Sequence, residues 1–178
     1  MTDEQLAKSI AEAALLHGDF TLRSGRKSKY YLDKYLFETR PEILKQLGEK
    51  FARVIAACDP PIQRLAGPEL GGIPLVTAAA MATGLPMVLI RNAKKDYGTA
   101  KRFEGKLEPG DRVLITEDIA TSGGQSIEAA RLLRDELEAE VVKIVVVIDR
   151  QEGAREAIEE AGFAFEALFT KSDLGIDE

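Results

Sequence analysis

Apolar residues recur at Leu6, Ile10, Ala13, Ala14 and Leu16, the spacing of a helix buried on one face, behind a Thr2-x-x-Gln5 capping box. The spacing predicts an amphipathic helix over 3–17 that stops at His17-Gly18, leaving His17 as a C-cap residue. Residues 20–22 and 30–37 are rich in aromatic and apolar side chains, and Arg23-Ser24-Gly25-Arg26-Lys27-Ser28-Lys29 lies between them. That pattern predicts a hairpin with a basic tip. Pro41 suits a first helical position, and Ile43, Leu44, Leu47, Phe51, Val54 and Ile55 keep the helical period up to the break at Cys58-Asp59-Pro60-Pro61.

Beyond the break the pattern alternates: strand 64–67, helix 72–83, strand 87–91, strand 112–116, helix 124–137, strand 141–148, helix 153–160, strand 164–169. Such alternation implies an α/β fold, a parallel sheet with helices on both faces. The nearly unbroken apolar run Val141-Val142-Lys143-Ile144-Val145-Val146-Val147-Ile148 is what a central strand covered on both sides requires. Residues 92–106, polar and holding Gly98 and Gly105, fit no element and are expected to form a mobile functional loop. There is no repeat, low-complexity segment or interdomain linker, so one domain over 1–178 is expected.

Composition narrows the chemistry. A single Cys (Cys58) and a single His (His17) exclude an internal disulfide, Cys-rich metal clusters and any triad that needs a second histidine. Cys58 is expected to be a small buried hydrophobe. Carboxylates, Lys and Arg side chains and backbone amides remain. The start of the chain lacks a basic-then-apolar leader and no apolar run is long enough to span a bilayer, so a cytoplasmic protein is expected. The net charge of −6 argues against nucleic acid or an anionic membrane as partner. Residues 128–178 carry 6 basic and 14 acidic side chains, a net of −8, which leaves +2 for residues 1–127. An anion-binding surface is therefore expected in the first two thirds.

The segment Val113-Leu114-Ile115-Thr116-Glu117-Asp118-Ile119-Ala120-Thr121-Ser122-Gly123-Gly124-Gln125-Ser126 concentrates that chemistry. It begins as a buried strand, sets two carboxylates at the solvent-facing strand end, and opens a helix through a Gly-rich turn. Unpaired N–H groups at a helix N-terminus favour an anion, glycine lets a phosphate approach the backbone, and Thr121, Ser122 and Ser126 can add hydroxyl donors. Glu117 and Asp118 suit the hydroxyls of a phosphorylated sugar or a transient positive charge on its ring. The plainer reading is a capped helix after a strand with a solvated acidic end; the consecutive strand, carboxylate pair and hydroxyl turn favour the ligand site.

This run resembles the phosphoribosyl-pyrophosphate signature of type I phosphoribosyltransferases. Ser24-Gly25-Arg26-Lys27-Ser28-Lys29-Tyr30-Tyr31, Gly67-Pro68-Glu69-Leu70-Gly71-Gly72-Ile73-Pro74, the 91–98 loop and Ile148-Asp149-Arg150-Gln151-Glu152 resemble the orotate phosphoribosyltransferases in particular. The resemblance implies a type I phosphoribosyltransferase fold: a mostly parallel sheet flanked by helices (41–170), a small hairpin and helix hood (1–40) and a flexible catalytic loop (92–105). It implies transfer of phosphoribose from 5-phospho-α-D-ribose 1-diphosphate (PRPP) to orotate, giving orotidine 5-monophosphate and pyrophosphate in pyrimidine synthesis. Mg²⁺ is the implied cofactor, and a homodimer whose loops cross the interface the implied assembly.

Position by position, the resemblance gives Ile119, Ala120, Thr121, Ser122, Gly123, Gly124, Gln125 and Ser126 to the donor's phosphate, and Glu117 and Asp118 to the ribose hydroxyls. The Glu69-Leu70-Gly71 turn matches the pyrophosphate loop, which in the family often holds a non-proline cis peptide; some members have Lys at Gly71. Arg23 stands where others have Lys, and Arg91 and Lys95 fall on the basic positions of the catalytic loop, with Lys95 stabilising the leaving group. Asn92 and Tyr97 replace a Lys and a His, and Tyr97 cannot act as a histidine-like acid. For orotate, Tyr31 and Leu32 occupy the positions of two ring-flanking aromatics, Thr121 a contact position, and Arg150 that of the carboxylate partner. Arg150 could instead form a strand-end ion pair with Asp149 or Glu152, and Lys94, Lys101 and Arg102 a solvated surface.

Two other readings keep the donor site: a transferase for a purine or uracil, against which Arg150 argues, and a non-catalytic PRPP-sensing regulator. The latter would need a DNA-reading module, for which the N-terminal segment leaves too little chain.

Overall fold

Leu6, Ala7, Ile10, Ala13 and Ala14 make one buried stripe on the first helix, α1 (Asp3–Ala14), and the Thr2–Gln5 capping box closes its N-terminus in both directions. The structure, a computed structural model, describes residues 1–21, 25, 27–92 and 102–176. α1 ends three residues before the expected His17. Its stripe is exhausted at Ala14, and Leu15–Thr21 (β1) pairs antiparallel with Lys27–Leu32 (β2), Leu15 opposite Leu32 and His17 opposite Tyr30. His17 is thus an exposed strand residue, not a helix cap.

The expected strand over 30–37 divides. β2 stops at Leu32, and Asp33 accepts from Tyr35 N to cap a short helix, α2 (Lys34–Glu38). α3 (Pro41–Ala56) follows, with Pro41 at its start. Then come β3 (Arg64–Pro68), α4 (Gly72–Thr83), β4 (Met87–Ile90), β5 (Phe103–Glu104), β6 (Arg112–Ala120), α5 (Gly124–Arg131), β7 (Glu140–Asp149), α6 (Ala154–Glu160) and β8 (Phe165–Thr170). The helix expected over 124–137 is α-helical only to Arg131; Leu132–Glu136 continues as a π turn with Leu132 and Leu133 both buried.

The main sheet has the order β5-β4-β3-β6-β7-β8, parallel except for the β4–β5 pair at its edge. Alternating side chains feed two cores. Leu65, Leu114, Val145 and Val147 join α1, α3 and α4 on one face; Ala66, Val113, Ile115, Ile144 and Val146 join α5 and α6 on the other. β5 falls inside the stretch that fitted no element, since two residues paired to β4 leave no periodic signal. Cys58, half-buried, donates its thiol to Val54 O, and burial pushes that thiol above its ordinary pKa.

Among the described residues no helix is long and apolar enough to cross a membrane.

Candidate active site

β6 runs four residues past the expected Thr116, so Glu117 and Asp118 are strand residues paired across to β7 and not a solvent-facing strand end. They are 6% and 3% exposed. The pairing of β6 with β7, buried from Ile144 to Asp149, extends to Ala120 opposite Asp149, and this ladder carries the carboxylates into the interior.

Glu117 Oε1 accepts from the Asp118 amide at 3.2 Å. Burial, followed by the neighbouring Asp118 charge, pushes Glu117 up to about 8. Asp118 Oδ1 accepts from the Ile119 amide, and Lys34 Nζ lies 2.6 Å from Oδ2 in an ion pair. Burial disfavours the Lys34 ammonium, but Asp118 outweighs it and Lys34 is raised. Glu38, 1% exposed, lies beside this pair, and neither of its carboxyl oxygens has a hydrogen-bond partner among the described residues. Burial and the Asp118 charge push it up to about 9, so it is protonated at neutral pH.

Lys34, Glu117 and Asp118 form one wall of a cavity of about 340 Å³, with Glu38 buried behind them. Of the sequence-predicted site residues, Leu70, Arg91, Asn92, Glu117, Asp118 and Gln125 line it. The facing wall is the turn from β3 to α4. Gly71, buried at the start of α4, leaves no room for a side chain: a Cβ would lie 1.7 Å from Asp118 Oδ2 and 3.1 Å from Glu38 Oε1. The Glu69–Leu70 peptide is cis, as the resemblance implies, and Leu70 is 62% exposed. Glu69 Oε1 accepts from the Asn92 amide at 2.7 Å, and the Arg91 amide donates to Arg102 O at 2.8 Å. Both ends of the 92–105 segment are thereby tied to the cavity rim. Lys95 and Tyr97, like Lys94 and Lys101, lie outside the described residues, as does Arg23.

Past Ala120, which is buried, the chain turns outward. Thr121, Ser122, Gly124 and Gln125 are exposed and Ser126 is buried, while Ile119 is half-buried. Gly123 adopts φ 76°, and a Cβ there would lie 2.9 Å from Ile158 Cγ1, so glycine is required both by conformation and by contact with α6. Gly124 also borders a second cavity of about 600 Å³ between α5 and α6, whose wall includes Glu128, Asp135, Glu136 and Glu160 against Arg102 and Arg131.

Arg150 stands beyond the end of β7, its amide donating to Ala120 O at 2.9 Å, which places it next to the turn. It pairs with Glu152 (3.0 Å) and not with Asp149, whose Oδ1 accepts from the Gln151 amide. It also donates to Tyr30 Oη at 3.2 Å, with the guanidinium 5.8 Å from the Tyr30 ring centre. Tyr31 is open and tilted against Phe20, whereas Leu32 is buried in the core. Strand alternation therefore separates the two residues expected to flank one ring. Tyr30, Lys34 and Glu38 escaped the sequence reading; an apolar, aromatic stretch read as one strand hid the helix turn that aims Lys34 and Glu38 at β6.

The model of the phosphoribosyl transferase domain matches residues 24–170. The orotate phosphoribosyltransferase of Pyrococcus abyssi is 43% identical over 172 residues, 96% of this chain and 94% of that protein. The structure of Mycobacterium tuberculosis orotate phosphoribosyltransferase in complex with Fe(III) dicitrate superposes with a TM-score of 0.87 at 31% identity, covering 98% of this chain and 99% of that one. The same protein in complex with PRPP gives 0.83 at 30% identity, covering 98% and 99%. A buried acidic strand end, an open Gly-Gly turn and full-length similarity coincide, and the chain belongs to the phosphoribosyltransferase family, among its orotate phosphoribosyltransferases.

Proposed function

We propose that this protein transfers phosphoribose from PRPP to N1 of orotate, releasing pyrophosphate and forming orotidine 5-monophosphate in pyrimidine synthesis. The observation that carries this reading is the juxtaposition, on one strand, of the buried Glu117–Asp118 pair and the exposed turn that opens α5. In this reading the 5-phosphate takes the amides and hydroxyls of Ala120, Thr121, Ser122, Gly123, Gly124, Gln125 and Ser126, with Ile119 behind them. Glu117 and Asp118 receive the ribose hydroxyls. The low dielectric surroundings of the Asp118 carboxylate strengthen its attraction for positive charge building on the sugar ring. The Leu70–Gly71 turn, Arg91, Asn92, Arg23, Lys95 and Tyr97 surround the diphosphate, and Lys95 stabilises it as it leaves. Arg150, Tyr31 and Thr121 receive orotate, the planar guanidinium matching its carboxylate.

Among the described residues no group of three or more His, Cys, Asp or Glu is placed to hold a metal ion. In this reading Mg²⁺ would be carried by the oxygens of the donor and by water, beside the hard oxygens of Glu117 and Asp118. Bound so, it would neutralise charge on the departing pyrophosphate. The protein's own part is to anchor, orient and exclude water, and orotate reacting as an anion needs no strong base. The poverty in histidine fits this.

A homodimer with catalytic loops crossing the interface belongs to the same reading. A mostly apolar groove of Pro41, Leu44, Thr77, Ala78, Met81 and Ala82, with Lys45 and Glu49 in its lining, supports the dimer, Met81 being 84% exposed. A cytoplasmic location fits a reaction on soluble phosphorylated metabolites.

The test is the loss of orotate absorbance on adding PRPP and Mg²⁺. Turnover with orotate and none with uracil or purine bases is expected. Turnover with those bases alone would overturn the acceptor, and binding without turnover would overturn the enzyme. In the same assay, Lys95→Ala chains refolded with Glu117→Gln/Asp118→Asn chains should regain activity; verified heterodimers as inactive as their parents would overturn the shared loop.

A further inference from the structure

Asp118 cannot meet a sugar hydroxyl as it stands. It is 3% exposed, its Oδ1 is taken by the Ile119 amide, and its Oδ2 faces the Lys34 ammonium at 2.6 Å. We propose that Lys34 is a donor-binding residue: it holds Asp118 in the free protein and moves onto the diphosphate of the bound sugar donor, releasing Asp118 Oδ2 for a ribose hydroxyl. This rests on the proposed reaction and adds to it a residue outside the signature segment.

Placement supports it first. Asp33 caps α2 through the Tyr35 amide and so fixes the turn from which Lys34 reaches the cavity wall. Its side chain is 30% exposed at one end of the pair while that of Asp118 is 4% exposed, so the ammonium can move and the carboxylate cannot. A four-carbon stem lets the charge swing at little cost.

The facing turn supplies the second argument. Glu69, Leu70, Gly71 and Gly72 carry no cation, and Gly71 cannot be replaced by a residue that does, because any Cβ would meet Asp118 Oδ2. A diphosphate lying on this turn needs its positive partner from another element. Among the described residues, Arg91 is paired with Glu104 and Arg102 with Glu128. Lys34 alone of the described lysines and arginines lies against the acidic pair.

Competition decides where the ammonium goes. A diphosphate offers several negative charges where Asp118 offers one, and attraction scales with the charge product. Glu38 makes the exchange tolerable: buried, without a hydrogen-bond partner among the described residues, it holds its proton at neutral pH, so departure of Lys34 does not leave two carboxylates facing each other.

The experiment uses Lys34→Met and Lys34→Gln, the latter retaining a donor for Asp118 so that folding is preserved, with inorganic pyrophosphate as the probe in calorimetry. Both variants should weaken pyrophosphate and raise the KM for PRPP by about tenfold or more, and leave the KM for orotate within about twofold. Lys34→Arg should recover most of the loss. Unchanged pyrophosphate affinity in a folded variant, even with a lowered Tm or kcat, overturns the proposal and reduces Lys34 to a structural partner of Asp118. Wild-type turnover separates the two readings: turnover with unchanged pyrophosphate binding in the variants removes Lys34 alone, whereas absent turnover with pyrophosphate binding that depends on Lys34 removes the reaction and keeps the anion site.

Discussion

Two glycine-rich turns leave the carboxyl ends of the two central strands, one after β3 and one after its neighbour β6, and they differ in how much space they leave. In the β3–α4 turn the glycines are pressed. A Cβ on Gly67 would lie 2.5 Å from Gly72 O, one on Gly72 would lie 2.8 Å from Pro68 Cδ, and one on Gly71 would overlap Asp118. In the β6–α5 turn Gly124 is exposed, and a Cβ there would find only Ser122 Oγ at 3.9 Å. The first turn is glycine-rich because protein already fills the space. The second packs Gly123 against Ile158 but leaves Gly124 with nothing around it, which is how a backbone is kept open to a ligand. Sequence alone gives both the same Gly-Gly signature.

The pressed turn is the easier to break. Gly71→Ala should lower stability by about 3 kcal/mol, since the methyl must displace a buried carboxylate from its lysine. Urea unfolding checks this. The cause is isolated by adding Asp118→Ala: the double variant should cost less than the sum of the singles, with a coupling of about 1 kcal/mol or more. Simple additivity would mean that the turn resists alanine for reasons of its own backbone.

Behind the pressed turn stand the two carboxylates that hold protons, and they give the second test. Glu38 is raised to about 9 and Glu117 to about 8 by burial and by Asp118, while both titrate normally when unfolded. The native state therefore binds more protons than the unfolded state between pH 4.5 and 9. Their contribution is whole below the ordinary carboxylate pKa and is lost as pH rises through the folded values. The unfolding free energy from urea titrations should fall from pH 6 to pH 9, by at most about 1.4 kcal/mol per pH unit for each carboxyl. Glu38→Gln, which resembles the protonated form, should flatten the slope while changing stability little at pH 6. A slope that the variant leaves untouched would place the titration elsewhere.

The contrast also marks what could be read beforehand. The β3, β4, β6, β7 and β8 strands and the α1, α3 and α4 helices follow from apolar runs and periods, because each buries apolar side chains in one of the two cores. The phosphate turn was legible because strand, acids, hydroxyls and glycines are consecutive. The β6 extension was not, since Glu117 and Asp118 look like a solvated end until β7 is known to pair with them. Nor was the cluster of Lys34, Glu38, Gly71 and Asp118, whose members come from α2, the α4 cap and β6 and meet only in the fold. Leu32 was misplaced for a local reason: neighbours in a strand face opposite ways, and Leu32 took the core.

The open turn offers the smallest effect on stability and the clearest sign. Gly124 is the first residue of α5 and has no positive φ, so alanine fits both the helix and the empty space around it. Gly124→Ala should leave stability unchanged or raise it by about 0.5 kcal/mol, chiefly by restricting the unfolded chain. The same methyl would stand where a phosphate must approach the helix amides, so the KM for PRPP should rise while the Tm holds or climbs. Gly123 is the internal control: its φ of 76° and the 2.9 Å approach of Ile158 mean that alanine there should lower the Tm as well. If Gly124→Ala destabilises as Gly123→Ala does, the second turn is packed like the first and its openness is not what a ligand uses. If it stabilises without weakening PRPP, the phosphate does not sit on this helix end.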